Sequence, residues 1–183
     1  MARATKIPAT WDSIFFATPE QKVLRYLLSS RETTYTLRVL VSKLKGVRGL
    51  GGIQGLEKIL TELEEAGLVH FIDNRRAIRV SDEHPGNQIM RRLWGLCELE
   101  SLYLQLQPIS SKGVLLSTAP AEISLYVVTE QPEEVRKLTE QHPMGKLALL
   151  TLQTRDQFDV AAKKDVKLWN SLNQGVLVWG SSW

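Results

Sequence analysis

The stretch GLEKILTELEEAGLVHFIDNRRAIRV, residues 55 to 80, constrains the fold more than any other part of this chain. Its first half predicts a helix over about 53–66, with Ile53, Leu56, Leu60 and Leu63 at helical spacing and Gly67 as its stop. LVHFI and AIRV follow at once and alternate like half-buried strands, with Asp73 and Asn74 turning between them. A helix running straight into a hairpin is one way to read DNA. Yet this helix carries Glu57, Glu62, Glu64 and Glu65 against Lys58 alone, an odd face to present to a polyanion.

Two further helices precede it. In TPEQKVLRYLLSS, Thr18 and Gln21 form a capping box around Pro19, and Val23, Leu24, Leu27 and Leu28 share one face. Thr36 to Lys45 predicts a second helix burying Leu37, Leu40, Val41 and Leu44, with Gly46 ending it. The glycines of RGLGG, residues 48–52, then shape the turn into the third helix and match no phosphate loop. Three helices and a hairpin make the winged helix-turn-helix order.

Charge is distributed unevenly around that order. The net charge is only +3, but residues 1–50 hold nine Lys or Arg against three acids, and residues 86–183 hold ten of each sign. Positive charge at one end favours a polyanionic partner there. No apolar run is long enough for a membrane span, and MARATKIPATWDS lacks the apolar core of a secretory signal. The lone cysteine, Cys97, suits a reducing compartment, so the expected location is the cytoplasm. His70, His84 and His142 are scattered and give no metal-ligand spacing, so neither metal nor cofactor is expected. His70, in a strand, reads as a half-buried structural residue.

Beyond the hairpin, a helix over about 87–107 carries apolar residues around its whole circumference and must be covered on more than one side. It reads as a connecting helix, with Leu93, Trp94, Leu96, Leu99 and Tyr103 supplying a dimer or interdomain seam. Strand-like GVLLS, ISLYVVT, KLALLTL and GVLVWG then alternate with helical QPEEVRKLTEQ, TRDQFDVAAKK and DVKLWNSLNQ. That alternation predicts a small mixed sheet with helices on it. The expected class is thus α+β in the first part and α/β in the second. Its parts are an arm over 1–17, a winged helix-turn-helix over 18–84, a connecting helix over 85–108 and an α/β domain over 109–183.

The whole order resembles winged helix-turn-helix regulators fused to a minimal nucleotidyltransferase-like domain. LEKILTELEEAGLV with its hairpin matches the first part, and ISLYVVTEQPEEV is similar to the strand those domains write D-I-D-L-L-V-V-T. TRDQFDVAAKKDVKLWNSLNQGVLVWG is similar to their usual ending. Active members hold two magnesium ions on aspartates two residues apart, so that both carboxylates leave one side of a strand. Here those positions are Glu122 and Ser124, and LLSTAPAE keeps Ser117 of the usual Gly-Ser turn without its glycines. KLALLTL offers no third acid. The resemblance therefore implies a domain without the chemistry, and no enzyme.

It also implies a partner: double-stranded DNA, with the third helix in the major groove and the hairpin on phosphates or the minor groove. Gln54 and Lys58 are then the direct readers, with Thr61 beside them and Glu57 placed to accept from cytosine. Gly55 also falls on the outward side, while Glu64 and Glu65 point away from the groove. Phosphate contacts fall to Lys43, Lys45 and Arg48, to Thr33, Thr34 and Tyr35, and to Asn74, Arg75, Arg76 and Arg79 at the hairpin. A homodimer reading two half-sites would raise affinity and fix register. An effector or protein partner is left open. The alternatives are a protein-interaction or assembly module whose winged helix no longer binds DNA and, least favoured, a nucleotidyltransferase.

Overall fold

The computed structural model describes residues 10–29, 34–119 and 122–181, so the expected phosphate contact at Thr33 lies outside the described residues. The protein is a mixed α+β chain that divides into two units, Met1–Cys97 and Glu98–Trp183. Among the described residues no helix is long and apolar enough to cross a membrane.

The first unit opens with α1 (Trp11–Phe15), capped by Thr10. Phe16 behind it is 1% exposed, and Arg25 pairs with Asp12 at 2.6 Å. Phe16 and the Asp12–Arg25 pair thus tie residues 10–17, which the sequence suggested as part of an arm, to α2, while Ser13, Ile14 and Phe15 stay exposed. In α2 (Pro19–Ser29) the expected capping box forms: Gln21 N–H donates to Thr18 Oγ1, and Gln21 Oε1 accepts from Thr18 N–H. Val23, Leu24, Leu27 and Leu28 are all buried as expected.

β1 (Thr34–Thr36) leads into α3 (Leu37–Lys43), which Thr36 caps, and α4 (Gly52–Glu65) follows. β2 (Val69–Ile72) and β3 (Ala77–Val80) then complete a three-stranded antiparallel sheet in the order β1-β3-β2. The core lies between this sheet and the helices, on Val23, Leu27, Leu28, Leu40, Leu56, Leu60, Val69 and Ile78. Burying a Leu or Ile completely contributes roughly 1.5–3 kcal/mol, and this is what holds such short elements in place. β1 was not foreseen as a strand. Tyr35 explains it, because its ring is 1% exposed opposite Ile78 and its hydroxyl donates to Leu27 O at 3.0 Å.

The single connecting helix expected over 87–107 is two helices, α5 (Pro85–Glu98) and α6 (Glu100–Leu106), because Leu99 leaves helical geometry at φ −103°, ψ 10°. Each half serves its own unit. Asn87 of α5 is fully buried and donates to Leu68 O at 2.7 Å and Ser81 O at 2.8 Å, while Arg91 pairs with Asp82. These bonds strap α5 to the outer ends of the hairpin. Tyr103 of α6 instead lies 5.8 Å from the Trp179 ring in the second unit. Most apolar residues of the stretch are thus covered by a break that lets each half turn to its own core, while Ile89 and Leu104 stay exposed. The units consequently meet at residue 97, not near residue 108.

The second unit contains β4 (Lys112–Ala119), β5 (Glu122–Val128), α7 (Pro132–Gln141), β6 (Ala148–Gln153), α8 (Arg155–Lys164), α9 (Val166–Gln174) and β7 (Val176–Trp179). Its sheet runs β6-β5-β4-β7, parallel only between β5 and β6. Gly113 faces Trp179, whose ring would sit 2.2 Å from a Cβ on that glycine. The same ring donates through Nε1 to Ser110 Oγ at 3.1 Å, which closes this end of the sheet.

His142, after α7, accepts Met144 N–H on Nδ1 at 3.2 Å and has Nε2 2.8 Å from Ser101 Oγ. A ring that accepts on Nδ1 must be neutral and donate through Nε2. Burial holds its pKa below the ordinary 6.5, against a smaller upward pull from Glu98. The unfolded chain therefore binds this proton more readily than the folded one. The stability His142 confers is complete above pH 6.5 and is lost as pH falls from there toward the depressed folded value. In urea titrations between pH 7.5 and 5.5, His142→Gln is expected to flatten that fall. A slope identical to wild type would show that the ring does not couple to folding.

Candidate nucleic-acid interface

The outward side of α4 is set by what packs beneath it. Leu56, Ile59, Leu60 and Leu63 form the buried stripe. Ile59 replaces Ile53 in the set expected from spacing, and Ile53 is 51% exposed. At 100° per residue Ile53 has an inward angle, but it sits in the first turn, beyond the edge of the core. Periodicity reports angle and not depth, hence the correction. Gly55 moves the other way. A Cβ there would lie 1.8 Å from Leu50 O, so this face of the helix is pressed against the incoming turn and presents no side to a groove.

Gln54, Glu57 and Lys58 are exposed, Thr61 is half-buried, and Lys58 meets Glu62 only at 4.0 Å. Gly51 precedes the helix in left-handed geometry, at φ 67°, where its lack of a Cβ is needed. No side chain caps α4 and no acid stands in its first turn. Its first amides therefore carry the partial positive charge of a helix start with no carboxylate of the helix's own first turn beside them.

The hairpin leans back onto this helix. Asp73, Asn74 and Arg75 all have positive φ, at 51°, 53° and 64°. Asp and Asn tolerate that region well, Arg less so. Arg75 is held there from three sides: its guanidinium reaches Glu64 at 3.2 Å and Thr61 Oγ1 at 2.9 Å, and lies 3.7 Å from the centre of the Phe71 ring. Glu64 also accepts Phe71 N–H at 2.9 Å. Glu64 is thus not idle in the last turn; it ties the hairpin to the helix. Arg75 and Thr61 are engaged with each other, which removes both from the group of unpartnered side chains. Between helix and turn lies a cavity of about 570 Å³ lined by Gln54, Glu57, Lys58, Asn74 and the Phe71–Arg75 stack.

The remaining bases flank this face. Lys43, Lys45 and Arg48 are exposed before α4, and Arg76 and Arg79 are exposed after it. Among the described residues none of the five stands within ion-pair distance of a carboxylate. Thr34, Arg79 and His70 line up across the three strands on the exposed face, so His70 is not the half-buried residue expected. Tyr35 belongs to the core and is removed from the candidates. Sequence reasoning missed exposed Arg38 and Val39 on α3, although both sit outside the inward spacing of Leu37 and Leu40.

In the second unit Glu122 and Ser124 leave one side of β5. Their neighbours in register are Ser117 opposite Ser124 on β4 and Leu149 beside Ser124 on β6. The residues expected at a dimer or interdomain seam are mostly inside the chain: Trp94, Leu99 and Tyr103 are buried, while Leu93 and Leu96 are half-buried. The same stretch exposes Ile89 and Leu104 instead. No family model, curated protein or solved structure matches this chain.

Proposed function

We propose that the chain is a DNA-binding transcriptional regulator whose first unit is a winged helix-turn-helix, acting as a homodimer on a two-part site. The observation that carries this reading is the exposed first half of α4, set between two groups of bases that have no acidic partner among the described residues: Lys43, Lys45 and Arg48 before it, Arg76 and Arg79 after it. The order α2-β1-α3-α4-β2-β3 with strands β1-β3-β2 supports it, since this arrangement puts a hairpin beside the third helix. In that reading α4 enters the major groove by its N-terminal half, with Gln54 and Lys58 toward the bases. The wing meets phosphate through Arg76 and Arg79, and Arg75 holds the wing in place. Glu57 is the acid in the first half of α4, and on this reading it serves as a hydrogen-bond acceptor for cytosine.

The second unit, on this reading, is a nucleotidyltransferase-like domain kept for assembly or ligand sensing. The two β5 positions that hold metal in active members are Glu122 and Ser124 here, one carboxylate where two are needed.

Selection of bound fragments from genomic DNA by the purified protein tests the proposal, and a palindromic site would support the dimer. With a selected site, Arg76→Ala combined with Arg79→Ala is expected to lower the slope of log affinity against log salt by roughly 0.9 for each phosphate no longer neutralised. Unchanged affinity and slope would remove the wing from the interface. A second reading, an assembly module without DNA, is favoured by exposed Glu57, Glu62 and Glu65 on α4. Failure to retain any fragment at low salt would favour it.

A further inference from the structure

Exposed apolar residues are ordinary on a protein surface and usually mean nothing. Ile53 differs in its place. It stands in the first turn of α4, next to Gln54, at the helix end that carries neither a capping side chain nor an acid. The bases flanking this helix, Lys43, Lys45, Arg48, Arg76 and Arg79, suit a polyanion and not an apolar protein partner. An apolar contact inside a polyanion's binding surface has few possible partners. In the major groove the thymine 5-methyl is the apolar group that base pairs present. Gln54 supplies the complement, because a side-chain amide donates to N7 and accepts from N6 of adenine in one bidentate contact. An A·T step offers both groups within one patch of groove. β-branched isoleucine is stiff at χ1, which makes it a discriminating probe for a methyl group.

We infer that Ile53 and Gln54 select A·T pairs in the major groove, Ile53 packing on a thymine methyl and Gln54 bonding the adenine. This rests on the reading of the first unit as a DNA binder and adds which base pairs the helix start demands. Lys58 and Glu57, one turn further on, read the adjoining positions.

The test uses the full chain and a site from fragment selection, with each thymine replaced in turn by deoxyuridine, which deletes only the methyl. At one thymine per half-site, wild-type affinity is expected to fall about fourfold, the worth of one buried methyl. Ile53→Ala should bind the thymine site about that much more weakly than wild type and show no further loss with deoxyuridine. Gln54→Ala should lose its preference at the paired adenine while keeping the deoxyuridine effect. Ile53 is exposed, so its variant is expected to unfold at the wild-type urea midpoint. Wild-type affinity indifferent to deoxyuridine at every thymine overturns the inference, as does an Ile53→Ala protein that stays sensitive; DNA binding itself stands in both cases. If the chain retains no fragment at low salt, the DNA-binding reading fails and takes the inference with it.

Discussion

Gly55→Ala is expected to lower the urea midpoint of the first unit, with a loss of about 1–3 kcal/mol, the usual cost of overpacking. Helix propensity argues the opposite sign, since alanine is better than glycine in a helix interior by about 1 kcal/mol. Geometry decides between them. The new Cβ would stand 1.8 Å from Leu50 O and 2.7 Å from Leu50 C, both backbone atoms that no rotamer change can move aside. Either the turn before α4 lifts off the helix or the helix shifts from its core stripe of Leu56, Ile59, Leu60 and Leu63. Gly52→Ala is the comparison. It meets nothing within 4 Å and carries only the left-handed φ of 71°, a strain of roughly 1–2 kcal/mol. Denaturant unfolding followed at both positions separates steric clash from backbone strain, provided the m value stays constant. A Gly55→Ala midpoint at or above wild type would mean that turn and helix do not press together. If they do, and if the first unit binds DNA as proposed, the variant also loses that affinity, because the same turn carries Lys45 and Arg48.

That turn marks the limit of what the residues disclosed in advance. Helices α2, α3 and α4, strands β2 and β3 and nearly all of the second unit were legible, because each is short, strongly patterned and bounded by Thr, Gly or Pro. The capping box at Thr18 was legible for the same reason: both partners lie within one turn. What depended on a third dimension was not. Ile53 has the angle of a core residue and the depth of a surface one. The break at Leu99 has neither Pro nor Gly to announce it and follows from two separate cores claiming one apolar stretch. Asn87, buried and bonded to two carbonyls, looks in sequence like one more polar residue in a turn. The tie from Glu64 to Arg75 spans 11 residues and makes an acid that looked out of place in the helix part of the hairpin's support.

If the first unit binds DNA as proposed, changing Lys43, Lys45 and Arg48 together to alanine is expected to cost more affinity than the Arg76 and Arg79 pair. The three are exposed, flank the uncapped start of α4 and have no acidic partner among the described residues, so their full charge is available to phosphate. Each neutralised phosphate releases counterions, so the slope of log affinity against log salt should shallow by roughly 0.9 per phosphate, about 2.7 for three. At 0.1 M salt the same release is worth nearly tenfold each, which puts the combined loss on the order of several hundredfold. The loss should be nearly equal for selected and unrelated DNA, because phosphate contacts position the protein and carry no sequence information. Arg75→Ala should separate cleanly from this. Its guanidinium is already matched by Glu64 and stacked on Phe71, so little slope is lost, while the hairpin loosens and the unfolding midpoint drops. A triple variant that keeps the wild-type slope would place the phosphates elsewhere on the molecule. One that loses affinity only for the selected site would make these residues readers of sequence, which their place before the helix does not allow.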